Sequence, residues 1–217
     1  MATVDNVEKA WQAVRAEAMH CTRCPLYKCA TQTVFGEGPF DARILFIGEQ
    51  PGDQEDLAGK PFVGPAGKVF DAAMEKVGFD RRRTYVTNAV KHFKFEPRGK
   101  RRLHQKPNAG EITACRFWLN LEREFVKPKV IVAMGATAVQ SITGKAASIT
   151  SLRGKRHELD DGTTLFVTVH PSYLLRIRPD GGTDVEEEHR RFEADLARIR
   201  DYADSLDEAP KRKAGRA

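Results

Sequence analysis

Residues 42–53 read ARILFIGEQPGD. The first six form a short apolar run, the pattern of a strand buried on both faces. The next six set an acid, an amide and a proline among two glycines, and end on a second acid. Gly48 and Gly52 permit tight backbone geometry, and Pro51 stiffens the loop. An ordinary strand-to-helix turn needs no such set. The loop therefore reads as functional, with Glu49 and Gln50 projecting into a cleft.

The same arrangement recurs outward from this stretch. Strands are predicted over 84–90 (TYVTNAV), 129–134 (KVIVAM) and 164–169 (TLFVTV). Residues 155–159 and 164–169 flank Asp160-Asp161-Gly162, which looks like a hairpin turn. Val4, Val7, Trp11, Val14 and Ala18 fall at helical spacing, so 4–18 is predicted as an amphipathic helix. Further helices are predicted over 65–77, 109–125, 136–143 and 186–206. Pro65 and Gly78 bracket the first of these, and Asn108 with Glu111 could cap the second. Strands alternating with helices imply right-handed βαβ units and an α/β fold with a parallel sheet covered on both faces. The unusual polar residues come just after strand ends: GEQPGD, Asn88 to His92, GATA at 135–138 and HPSYLLR at 170–176. Ligands in open α/β sheets bind outside the carboxyl ends of the strands. These four segments are expected to meet along one sheet edge.

The chain has 217 residues, which suits one domain over 1–208 and a basic tail, 209–217, expected to be disordered. The net charge is +6, but the tail holds four Lys/Arg and no acid, leaving +2 for the rest. Overall charge is thus a weak pointer to nucleic acid, and local clusters weigh more. Residues 81–83 are RRR, and 98–106 read RGKRRLHQK, with five cations and no acid. The N-terminal residues lack a basic-then-apolar pattern, and no apolar run has the length of a membrane span. A cytoplasmic, reducing setting is the expectation. There, four cysteines point to metal or catalysis before disulfides.

Cys21 and Cys24, with two residues between them, lie in a loop after the first helix, with Cys29 nearby. Cys115 sits near the start of the 109–125 helix, and His92 follows strand 84–90. Four soft ligands from three places would staple the fold. Spacing alone fits zinc and iron–sulfur equally, and Cys29 competes with His92 for the fourth position. GPAGK at 64–68 fails as a phosphate loop, because Phe62 stands where a glycine is needed and Val69 replaces the Ser/Thr. His104 lies in the basic run, where Gly99, Lys100, Arg101 and Arg102 suggest a mobile, phosphate-seeking loop. Composition alone leaves it a surface residue. His170, at a buried strand end before a proline, is a better candidate for a ligand contact. His20, His157 and His189 are expected on the surface.

Taken together, GEQPGD, GKPFVGPAG, YVTNAVKHF, GKRRLHQKP, ACRFWL and VHPSYLLR resemble the uracil-DNA glycosylase superfamily, over about residues 20–205. They look closest to its iron–sulfur branch and, within that, to the DNA-crosslinking UdgX-type subgroup. Two features point there: the KRRLH loop with its histidine, and His92 where ordinary iron–sulfur relatives carry cysteine. The resemblance implies a three-layer α/β/α fold around a four-stranded parallel sheet. It also implies a [4Fe–4S] cluster held by Cys21, Cys24, His92 and Cys115, leaving Cys29 as a free thiol. Asn88 would recognise uracil, Phe62 would stack on it, and Gln50 and Asp53 would lie beside it. His170 would face uracil O2, and His104 would attack the sugar, oriented by Glu49. Lys100, Arg101, Arg102 and Arg176 would hold phosphates. The implied partner is uracil-containing DNA, single-stranded by preference, bound by a monomer with no obligate protein partner and no membrane. Tyr173 departs from the pattern, since close relatives often carry a small residue there.

Overall fold

The computed structural model describes residues 4–178 and 184–208. The expected disorder of 209–217 falls outside them. In chain order the elements are α1 (Val4–Ala18), β1 (Ile44–Gly48), α2 (Asp53–Ala58), α3 (Pro65–Lys76), β2 (Thr84–Asn88), β3 (Phe95–Arg98), β4 (Arg101–His104), α4 (Ala109–Val126), β5 (Val130–Met134), α5 (Ala136–Thr143), α6 (Ile149–Leu152), β6 (Arg156–Glu158), β7 (Thr164–Thr168), α7 (Pro171–Leu174) and α8 (Val185–Glu208). Among the described residues no helix is long and apolar enough to cross a membrane.

The central sheet runs β2-β1-β5-β7-β6. The first four strands are parallel, and β6 adds an antiparallel fifth at the edge. The four-stranded expectation thus describes the parallel part alone. The extra strand follows from the turn after it. Gly162 adopts a left-handed backbone at φ 78°, and Leu159 N–H bonds to Thr163 O, so the chain reverses at once and β6 pairs with β7.

Side chains alternate across the sheet, as strand geometry requires. Leu45 and Ile47 face Trp11, Trp118, Leu119 and Val139 in the layer of α1, α4 and α5. Ile44 and Phe46 face Phe70, Met74, Phe192 and Leu196 in the layer of α3 and α8. Phe46 and Phe70 are fully buried in edge-on contact, so truncating either to alanine should cost about 3–5 kcal/mol. Register then positions the site. Gly48 pairs with Asn88, and Met134 with Thr168, so the strands end level and the residues just beyond emerge on one edge.

Five elements, α2, β3, β4, α6 and α7, were not expected. The basic run is not a loose loop. Its core forms the antiparallel hairpin β3–β4, with Phe95 opposite His104 and Gly99 turning at φ 60°. Helix α2 follows GEQPG directly. The Glu55 carboxylate accepts the Gly52 N–H, closing its first turn.

Candidate active site

A cavity of about 1080 Å³ opens at the carboxyl edge of the sheet. All four predicted segments reach it, through Glu49, Asn88, Gly135 and His170, and Phe62 and His104 complete the wall.

Asn88 ends β2 and is buried, with its Oδ1 lacking any hydrogen-bond partner. A buried amide oxygen without a partner is costly unless a ligand satisfies it. A Cβ on Gly48 would lie 2.4 Å from that oxygen and 2.6 Å from the Phe62 ring, so glycine is required for both to approach β1. Phe62 itself holds a left-handed backbone at φ 57°, rare outside glycine and typical of functional sites. Its ring packs between Phe70, at 5.5 Å, and His170, at 6.0 Å.

The His170 tautomer follows from its neighbours. The Ser172 backbone N–H donates to Nδ1 at 3.2 Å, so Nδ1 must be the acceptor and Nε2 carries the proton. That Nε2 is buried and unpartnered. Burial pushes the imidazole pKa down to about 4 and the Arg176 charge adds to this, against the pull of Glu49. At neutral pH the ring is therefore a neutral N–H donor with no partner in the protein.

Glu49 lies between two donors. Thr137 Oγ1 donates to Oε2 at 2.6 Å, and His104 Nε2 stands 3.2 Å from Oε1. Burial alone would raise the carboxyl pKa. The hydrogen bonds from His104 and Thr137 outweigh that and hold it below its ordinary value. The carboxylate is thus held in its ionised, accepting form facing the imidazole.

The hairpin that carries His104 is fastened at several points. Gln50 Nε2 donates to Lys94 O and Gln105 O, both at 3.1 Å, and its Oε1 accepts the Lys94 N–H. The Gln50 amide, expected on substrate, is thus spent on bracing both ends of the hairpin. Arg102 pairs with Asp53 at 2.5 Å and with fully buried Asp56 at 2.6 Å, and lies over the rings of Phe93 and Phe95. Arg102 and Asp53, expected on phosphate and substrate, are thus engaged with each other. Lys100, Arg101 and Arg176, also expected on phosphate, are exposed.

A uracil DNA glycosylase superfamily profile matches residues 35–197. The chain belongs to that superfamily. It is 40% identical over 172 residues to a type-4 uracil-DNA glycosylase of Thermotoga maritima, covering 79% of this chain and 86% of the relative. A type-4 uracil-DNA glycosylase of Sulfurisphaera tokodaii is 33% identical over 197 residues, covering 87% and 84%. A type-5 uracil-DNA glycosylase of Pyrobaculum aerophilum is 26% identical over 190 residues, covering 72% and 80%.

In this superfamily member, the predicted metal ligands do not line the cavity. Cys21, Cys24 and Cys115 are buried thiols, and His92 is buried with Nδ1 unpartnered. Cys115 and Cys24 share a hydrogen bond. It lowers Cys24 to about 5 against the effect of burial, with His92 assisting, and it raises Cys115 together with burial. The Trp118 indole N–H donates to Cys21 Sγ at 3.1 Å and the Lys91 amide to Cys115 Sγ at 3.3 Å. Among the described residues, no group of three or more His, Cys, Asp or Glu is poised to hold a metal ion. The donor chemistry still fits a cluster: buried thiols, one of them already thiolate-like, and an orphaned imidazole nitrogen. Cys29 is exposed.

Sequence reasoning missed several contributors. Thr137 lay within GATA, a segment singled out for its place. Asp56 carried no local signal, because its partner Arg102 is distant in sequence. Glu55 stands three residues after Gly52, a local capping pattern that went unread.

Proposed function

We propose that this chain excises uracil from DNA and that His104 then captures the emptied sugar at C1′. The observation that carries the reading is the convergence, in one cavity, of an unpartnered amide oxygen, a neutral imidazole N–H and an imidazole paired with a carboxylate. The names of the type-4 and type-5 relatives support the excision step.

A base inside a duplex must be flipped out, at a cost of a few kcal/mol, so unpaired strands are the favoured substrate. The chain acts on them as a monomer, with Lys100, Arg101 and Arg176 on the phosphates. Phe62 supplies the surface on which the flipped base stacks. Asn88 Oδ1 accepts from uracil N3–H, and its amide donates to O4. Cytosine reverses both and leaves buried groups unpaired, at about 1–3 kcal/mol each. As the glycosidic bond breaks, its electron pair leaves with uracil. His170 Nε2–H donates to O2 and stabilises that charge, a role worth about 3–4 kcal/mol in comparable sites.

The sugar is left as an oxocarbenium ion. His104 donates Nε2–H to Glu49, which leaves the Nδ1 lone pair to attack C1′. The new N–C1′ bond makes the ring cationic, and the Nε2 proton passes to Glu49. Neutral alkylated imidazole is a poor leaving group, so the adduct persists. Cys21, Cys24, His92 and Cys115 would hold a [4Fe–4S] cluster, which when bound supplies a structural staple. Trp118 and the Lys91 amide would donate to its sulfur ligands.

The test is a denaturing gel of the protein mixed with uracil-containing single-stranded DNA. A heat-stable shifted band is expected, absent for His104→Ala, which should still release uracil. Free abasic product with no shifted band from the unaltered protein would remove the capture step and leave a turnover enzyme. Intact DNA would remove both.

A further inference from the structure

Behind Asn88 lies an ion pair with no part in the chemistry just described. Lys91 and Glu122 are both fully buried and in direct contact. Burying two charges is expensive, and such a pair rarely adds net stability over apolar residues of similar size. Its position shows what else it does. Lys91 folds back under its own backbone. Its Nζ donates to Asn88 O at 2.8 Å and to Thr87 Oγ1 at 2.7 Å. Its carbonyl accepts the Val34 N–H at 2.8 Å. Glu122 gathers the Gly36 N–H, Thr87 Oγ1 and Tyr85 OH, which ties β2 to α4.

Asn88 is the last residue of β2, and its side-chain oxygen has no partner in the protein. The amide therefore takes its aim from the backbone that carries it. That backbone is held on one side by β1, through the Gly48–Asn88 register. On its carbonyl it is held by the Lys91 ammonium alone among the hydrogen bonds described for that atom.

We infer that Lys91 is a positioning residue for base recognition: by holding the Asn88 carbonyl it sets where the Asn88 amide meets the flipped base. This rests on the proposed uracil excision. Misplacing a reacting or recognising group by about 1 Å can cost roughly 100-fold in rate. The binding of DNA to the exposed cations should be untouched.

The experiment pairs two variants of the full, metal-loaded chain. Lys91→Met with Glu122→Gln removes both charges together and leaves no uncompensated ion. Glu122→Gln alone leaves Lys91 in place to hold Asn88. For the double variant, the single-turnover rate of uracil release at saturating DNA should fall roughly 10- to 100-fold. The DNA concentration giving half that rate should stay unchanged, and free uracil should inhibit less strongly. Glu122→Gln should keep the unaltered release rate and uracil inhibition, whatever its loss in melting temperature. A folded double variant with unaltered release rate and uracil inhibition overturns the inference. So does Glu122→Gln if it loses both, which would assign the effect to the network as a whole. If that double variant does not fold, Lys91→Leu with Glu122→Gln removes the same two charges and reads the same outcome. Failure of the unaltered protein to release uracil would instead overturn the excision reading.

Discussion

Arg102 donates to Asp56 at 2.6 Å, and the aspartate side chain is wholly buried beneath it. Arg102 is two residues before His104 on β4, so the two side chains share a face of the hairpin. One is anchored in the protein, and the other reaches the cavity and Glu49. The basic loop is therefore latched by its own arginine, and the imidazole is presented from a fixed strand.

Arg102→Gln should release that latch. It leaves Asp56 buried without its cation, at a cost of roughly 3 kcal/mol, the low end for a broken buried pair because water reaches the arginine. Adduct formation should slow by about 10- to 100-fold through loss of alignment. Uracil release should change far less, because Asn88, Phe62 and His170 sit on other elements. Urea denaturation and time courses of the shifted band check both. Capture at the unaltered rate would show that the latch does not position His104.

Gly48→Ala tests the wall of the base pocket. The added methyl would meet Asn88 Oδ1 and the Phe62 ring well inside contact distance, so both must move. Uracil release should fall by about 100-fold or more while the far-ultraviolet circular dichroism stays unchanged. A variant with normal uracil release would mean that neither side chain needs its present place.

His170 carries a pH signature. Its folded pKa is about 4, against an ordinary 6.5. Between those values the unfolded chain binds a proton that the folded chain refuses. Stability therefore falls as pH drops from about 6.5 towards 4, and above 6.5 this group has no effect. From pH 7 to pH 5 the unaltered protein should lose about 2 kcal/mol more than His170→Asn. Urea unfolding at the two pH values measures the difference. Equal losses would mean that the ring is not held neutral by burial.

Much of the fold was legible because burial writes a short-range pattern. The apolar runs around Leu45, Val86, Val132 and Phe166 are the four parallel strands, each buried along its whole length. Asn108 and Glu111 form the reciprocal capping bonds expected of them. The hairpin of Asp160 to Gly162 was read correctly as a turn, but the strand it adds to the sheet was not counted. The β3–β4 hairpin was invisible, because Arg98, Arg101 and Arg102 conceal alternation with their charge.

The sequence by itself determined the alternation of the parallel strands with their main helices and the sheet edge where the polar segments gather. Periodicity and turn preference act over a few residues, so they can be read along the chain. Only the tertiary structure settled which polar groups are left free for a ligand and which are spent inside the protein. Gln50, Asp53 and Arg102 looked as available as Asn88 and His170. Their hydrogen bonds reach partners about 40 to 55 residues away, and only folding brings such groups within bonding distance.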